Sequence, residues 1–114
     1  MNWVNMFDRT RYASYANNTK WSELRHAMVG LYPRAPSFRV KTLNWLGGTE
    51  WDCEWYYHFK LDYEWKEMEW VDLKPRPSVS TVSLDEIEAI CRRIGFEIEQ
   101  HGDIIRIIGY RKMA

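Results

Sequence analysis

Ser83 and Glu86 stand three residues apart at the head of an apolar series, Leu84, Ile87, Ile90, Cys91 and Ile94, that Gly95 closes. A serine hydroxyl and a glutamate carboxylate at that spacing can satisfy each other's free backbone amides at a helix N-terminus, and a glycine after the last turn ends the helix. The pattern predicts a helix with one apolar face. Directly after it, FEIE and DIIRIIGY flank the turn QHG, which predicts a closing hairpin. A helix that must bury a stripe, followed at once by strands that must bury a face, points to an α+β fold with helices packed on an antiparallel sheet.

The remaining segments extend this plan. In NNTKWSELRHAMVGLYP, Asn18 or Thr19 can cap a helix whose stripe is Trp21, Leu24, Met28 and Leu31, with Gly30 and Pro33 as its stop. Trp3, Met6, Phe7, Tyr12 and Tyr15 suggest another helix within the first sixteen residues. SFRVKTLNWL alternates and reads as a strand, and KPRPSVS is an extended connection inside the same domain. The expected order is α-α-β-β-β-α-β-β in a single domain spanning residues 1–114, a length that buries roughly two-thirds of its unfolded surface without staples.

In residues 51–59 every odd position is apolar, which reads as a half-buried strand. A loop at residues 61–64 would return it against residues 65–71, with Tyr57 opposite Met68 and Trp55 opposite Trp70 on the core side. On the other side His58 would face Glu67 and Tyr56 would face Glu69, with Glu54 and Trp65 alongside. Trp55, Tyr57, Phe59, Met68 and Trp70 are therefore expected in the core. Glu54, Tyr56, His58, Trp65, Glu67 and Glu69 are expected to form an exposed acidic and aromatic face, the kind of surface that suits a protein partner. A competing arrangement has Arg39 and Lys41 of the neighbouring strand pairing those acids.

Charge is unevenly spread although the net charge is zero: residues 1–49 carry +5, residues 50–72 carry −6 and the rest +1. An overall basic footprint for nucleic acid is missing, with only Arg9, Arg11, Lys20, Tyr12 and Tyr15 as a local mixture of cations and rings. No apolar run approaches the roughly 20 residues that span a bilayer, so a cytoplasmic protein without a membrane partner is expected. Cys53 and Cys91 lack metal spacing and are expected as buried, reduced thiols; the three histidines lie on separate elements, and neither a metal nor another cofactor is expected. His58 beside Glu67 could serve as a general acid/base pair, but no nucleophile, oxyanion donor or phosphate loop accompanies it, so no catalytic residue is assigned.

The stretches NNTKWSELRHAM, FRVKTL, WDCEWYYHF, MEWVDLKP and GDIIRIIGYR resemble, in that order, an uncharacterised family of small bacterial proteins, over residues 12–111. The resemblance implies fold more than function and carries no catalytic residues with it. In type, a small cytoplasmic domain without enzyme motifs is also similar to the immunity proteins of bacterial toxin and contact-dependent inhibition systems. The expected function is non-enzymatic: neutralisation of a cognate toxin by direct protein binding through the acidic face. A nuclease is one such toxin, because its phosphate-binding cleft must be basic. Two alternatives are a small enzyme using His58 and Glu67, and a nucleic-acid-binding regulator using Arg9, Arg11 and Lys20.

Overall fold

The computed structural model describes residues 11–44, 47–61, 65–77 and 80–113. Strand β1 (Tyr12–Ser14) is followed by helix α1 (Asn18–Gly30), strand β2 (Ser37–Thr42), the single helical turn α2 (His58–Leu61) and, after a 3₁₀ turn at Trp65–Glu67, strand β3 (Met68–Lys74). Helix α3 (Leu84–Ile94), strands β4 (Glu97–His101) and β5 (Ile104–Ile108) and the short strand β6 (Tyr110–Lys112) complete the order. Four strands form an antiparallel sheet in the order β2-β3-β5-β4, and β1 pairs with β6 in a separate two-stranded ribbon. The mixed α+β class is thus as expected. The helix anticipated over the first sixteen residues is not present at Tyr12–Ser14, which is a strand held by Tyr110–Lys112 from the other end of the chain; residues 1–10 lie outside the described residues.

Helix α3 forms as its signals require. The Ser83 hydroxyl accepts from the Glu86 amide and the Glu86 carboxylate accepts from the Ser83 amide, which, with Arg34 at 3.5 Å, holds that carboxyl below its ordinary range. Gly95 closes the helix at φ 97°. The cap of α1 lies one residue earlier than expected: the Asn17 side chain accepts from the Lys20 amide at 2.9 Å.

Both helices lie on one face of the sheet. The register stacks Phe38, Leu73 and Ile105 in one row and Val40, Val71 and Ile107 in the next, and these rows pack against Trp21, Leu24 and Met28 of α1 and Ile87 and Cys91 of α3. Trp55 and Phe59 close the end of this core, their rings 4.4 and 5.3 Å from that of Phe38.

The strand expected over residues 51–59 is not formed. Only Asp52 pairs with a neighbour, exchanging backbone hydrogen bonds with Phe38 at 2.7 and 2.8 Å, and the chain then turns at residues 55–57 into α2. Trp55 and Phe59 are four apart, so the residues that satisfied a two-residue period also satisfy a helical one, and the chain uses the latter. Tyr57, expected opposite Met68 in the core, is exposed. The return loop lies mostly outside the described residues.

A β-bulge explains the second departure. Thr42 pairs with Met68 and Lys41 with Trp70, which leaves Glu69 as the extra residue on β3. Beyond it the parity reverses: Met68, Val71 and Leu73 are buried in the core, whereas Trp70 and Asp72 turn to the opposite face. Gly109 donates its amide to the Glu69 carbonyl at 2.7 Å and lies so close to β3 that a Cβ there would strike the Met68 carbonyl. Gly109→Ala is expected to lower stability by about 2 kcal/mol or more in urea denaturation, because backbone must move, while Gly47→Ala, with open space around it, should stay within about 0.5 kcal/mol.

Candidate functional site

The face of the sheet turned away from the helices is charged and aromatic. One register row crosses all four strands as Arg39, Asp72, Arg106 and Glu99. Asp72 is 0% exposed; its carboxylate accepts from Arg39 Nε at 3.0 Å and from Arg106 Nε and Nη2 at 2.8 and 3.0 Å. Those bonds raise the pKa of Arg106 against the opposing effect of its own desolvation. The Arg106 guanidinium lies 3.9 Å from the Trp70 ring centroid, and Arg39 and Lys74 lie 4.7 and 4.2 Å from that of Trp51. Around this centre Lys41 pairs with Glu69 at 2.6 Å, and Arg111 with Glu99 at 2.8 Å. The Glu99 carboxyl is held below its ordinary range by hydrogen bonds from His101 and Arg111. A carboxylate whose oxygens are taken by two guanidinium groups has little room for another ligand, and rings already covered by cations offer little to stack on. This face is built to close itself.

A second surface forms where the chain leaves the edge of β2. The Asp52 carboxylate accepts from the Glu54 amide at 2.8 Å and meets His58 Nδ1 at 2.6 Å, and the Glu54 carbonyl accepts from the His58 amide at 3.0 Å. Arg25 of α1 donates twice to the Tyr56 carbonyl, at 2.7 and 3.3 Å, and its guanidinium lies 4.8 Å from the Tyr56 ring centroid. Trp55 points inward and donates to the Pro36 carbonyl at 2.9 Å. Tyr56 and Tyr57 point outward, 53 and 58% exposed, and Tyr32 at the end of α1 is 81% exposed. Tyr32, Tyr56 and Glu54 border one small cavity floored by Met28, Ala35 and Trp55.

The six residues expected on one acidic face are therefore divided. Glu54, Tyr56 and His58 come together on this pinned turn. Trp65 is half-buried, donating its indole N–H to the Phe59 carbonyl at 2.9 Å; the Glu67 carbonyl accepts from the Leu43 amide; and Glu69 sits in the bulge, paired with Lys41. The hairpin register that would set His58 across from Glu67 does not exist, and the carboxylate on His58 Nδ1 is Asp52. Tyr32 and Arg25, which no motif in the sequence marks, join the turn, and so does Tyr57, which was expected in the core. The only sign of Tyr32 was its place just past the helix stop, where side chains leave the core. Cys53, expected in the core, is exposed, whereas Cys91 is buried and its thiol is pushed up to about 12 by desolvation. Among the described residues no three His, Cys, Asp or Glu side chains are placed to share a metal ion, and no helix is long and apolar enough to cross a membrane.

Fold and surface together define a small α+β protein with two helices on one face of an antiparallel sheet, an ion-paired outer face and an exposed tyrosine turn at one sheet edge. The chain belongs to a family of unknown function, DUF6678, whose model matches residues 4–114. No curated protein and no solved structure matches it.

The outer face makes a prediction about stability. Asp72→Ala should cost roughly 3 kcal/mol in thermal or urea unfolding, because it removes a fully buried carboxylate shared by two arginines, while Glu69→Ala, whose carboxylate is itself a quarter exposed and whose partner Lys41 keeps a bond to the Thr42 carbonyl, should cost less, about 1 kcal/mol.

Proposed function

We propose that this chain is a non-enzymatic binding protein, a bacterial immunity protein that acts in the cytoplasm and neutralises a cognate toxin by direct contact through Tyr32, Glu54, Tyr56 and Tyr57. The observation that carries the reading is the gathering of exposed tyrosines: of the five large apolar or aromatic side chains exposed among the described residues, three sit on this surface. Such side chains cost free energy in water and are repaid when a partner covers them, and tyrosine loses little conformational entropy in doing so. A hydrogen bond donated by Arg25 and one accepted by the Asp52 carboxylate hold the turn in place before any partner arrives, which lowers the entropic cost of association. Glu50 and Glu54 keep this segment acidic, a charge that complements the basic cleft of a nuclease toxin.

The Asp52–His58 contact supports a second reading, a small enzyme using an oriented imidazole. One experiment separates the two. Where a neighbouring reading frame encodes a toxin domain, cells expressing that toxin should lose protection when they carry the double variant Glu54→Arg/Tyr56→Ala, with toxin binding weakened roughly 30-fold or more, while its unfolding free energy moves by no more than about 1 kcal/mol. Full protection by that variant, or loss of protection by His58→Ala with toxin binding intact, would contradict the proposal.

A further inference from the structure

Core residues rarely border open space, yet Met28, Ala35 and Trp55, at 0, 5 and 2% exposure, floor a cavity of about 90 Å³ whose rim is Tyr32, Tyr56 and Glu54. Metabolite and cofactor pockets run from roughly 300 to 1,000 Å³, so a whole small molecule would not be enclosed here. One water needs far less room, and it needs two to four polar partners that a floor of thioether, methyl and indole carbons does not supply. What fits is one branched apolar group projecting from something larger.

Charge says what that larger thing is. Glu54 at the rim is exposed, Glu50 stands four residues before it on the same segment, and the nearby cation Arg25 is committed to the Tyr56 carbonyl and ring. A carboxylate at the mouth repels phosphates and attracts ammonium or guanidinium groups. We infer that this cavity is an anchor socket that accepts one aliphatic side chain of a protein partner, presented next to a lysine or arginine. The inference rests on the binding-protein reading and narrows it to a partner segment of apolar residue plus cation, held between the Tyr32 and Tyr56 rings. Glu54 gives the flanking cation its counter-charge, and the rings exclude water from the contact, as neutral neighbours do around a hot spot.

The test uses the whole protein with methionine methyl and tryptophan indole NMR signals as reporters, since Met28 and Trp55 form the floor. The probes are a capped Gly-Lys-Leu-Lys-Gly pentapeptide, the same peptide with Ala for Leu, the same with Glu for Lys, and a single-stranded thymidine oligonucleotide. The Leu/Lys peptide should shift Met28 and Trp55 saturably, at least about tenfold more tightly than the Ala peptide, given the apolar carbons withdrawn from water. The Glu-flanked peptide should bind more weakly, and Glu54→Lys should invert that preference. Val29→Phe, which fills the socket from its wall, should abolish the shifts; if it fails to fold, the charge inversion at exposed Glu54 still decides the matter. Absence of saturable shifts at Met28 and Trp55, equal binding of the Glu-flanked peptide, or shifts produced by the oligonucleotide instead would overturn the inference. If the peptide enters the socket and Glu54→Arg/Tyr56→Ala still protects cells, the immunity reading fails while the socket stands; if that variant loses protection and no peptide enters, the socket fails alone.

Discussion

Asp72 sits at the middle of the central strand with no exposure to solvent, and the layout of the molecule follows from what that carboxylate needs. Val71 and Leu73 on either side of it point into the core, so alternation sends Asp72 to the opposite face, away from helices α1 and α3. An unpaired carboxylate in that position would cost several kcal/mol. Arg39 arrives from β2 and Arg106 from β5, and each donates to it, which ties three strands together from the outside as the apolar rows tie them from the inside. Trp51 and Trp70 then cover the guanidinium faces of Arg39 and Arg106 and finish the centre of this surface.

The position of the tyrosine turn is a consequence. To bring Trp51 onto Arg39, the chain after β2 runs back along the edge of that strand, with Thr49 and Asp52 hydrogen-bonded to Val40 and Phe38. Asp52 then ends the pairing by binding the Glu54 amide and His58, so the next residues turn over the end of the core. Trp55 and Phe59 enter that core, and Tyr56 and Tyr57 between them are left outside with Glu54. The exposed aromatic surface is thus positioned by rigid neighbours on both sides, the ion-paired face and helix α1 through Arg25.

Local signals carried much of this fold, and long-range ones did not. The capping box at Ser83 and Glu86, the stripe Trp21, Leu24 and Met28, and the hairpin around residues 100–103 were legible because their causes lie within a few residues of each other. Tyr12–Ser14 is a strand because Tyr110–Lys112 pairs with it, and nothing within its own neighbourhood announces that. The bulge at Glu69 depends on the close approach of Gly109, about forty residues away in the chain, so simple alternation from Met68 placed Trp70 on the wrong face. For the candidate site, the acidic and aromatic character of residues 50–58 was readable. Its division between a pinned turn and a closed sheet face was not, because alternation implies a hairpin with Glu67 across from His58, whereas the carboxylate on His58 Nδ1 is Asp52, six residues upstream on the same segment.

The shared carboxylate is open to direct observation by NMR of the arginine Nε–H groups in the native protein. Both Arg39 and Arg106 donate through Nε to Asp72, so two resolved Nε–H signals that exchange slowly with water are expected, and both should collapse to fast exchange in Asp72→Asn while the Arg92 signal, on an exposed helical pair, is unchanged. Nε–H groups of Arg39 and Arg106 that exchange in the native protein as quickly as that of Arg92 would show that Asp72 does not hold the outer face together.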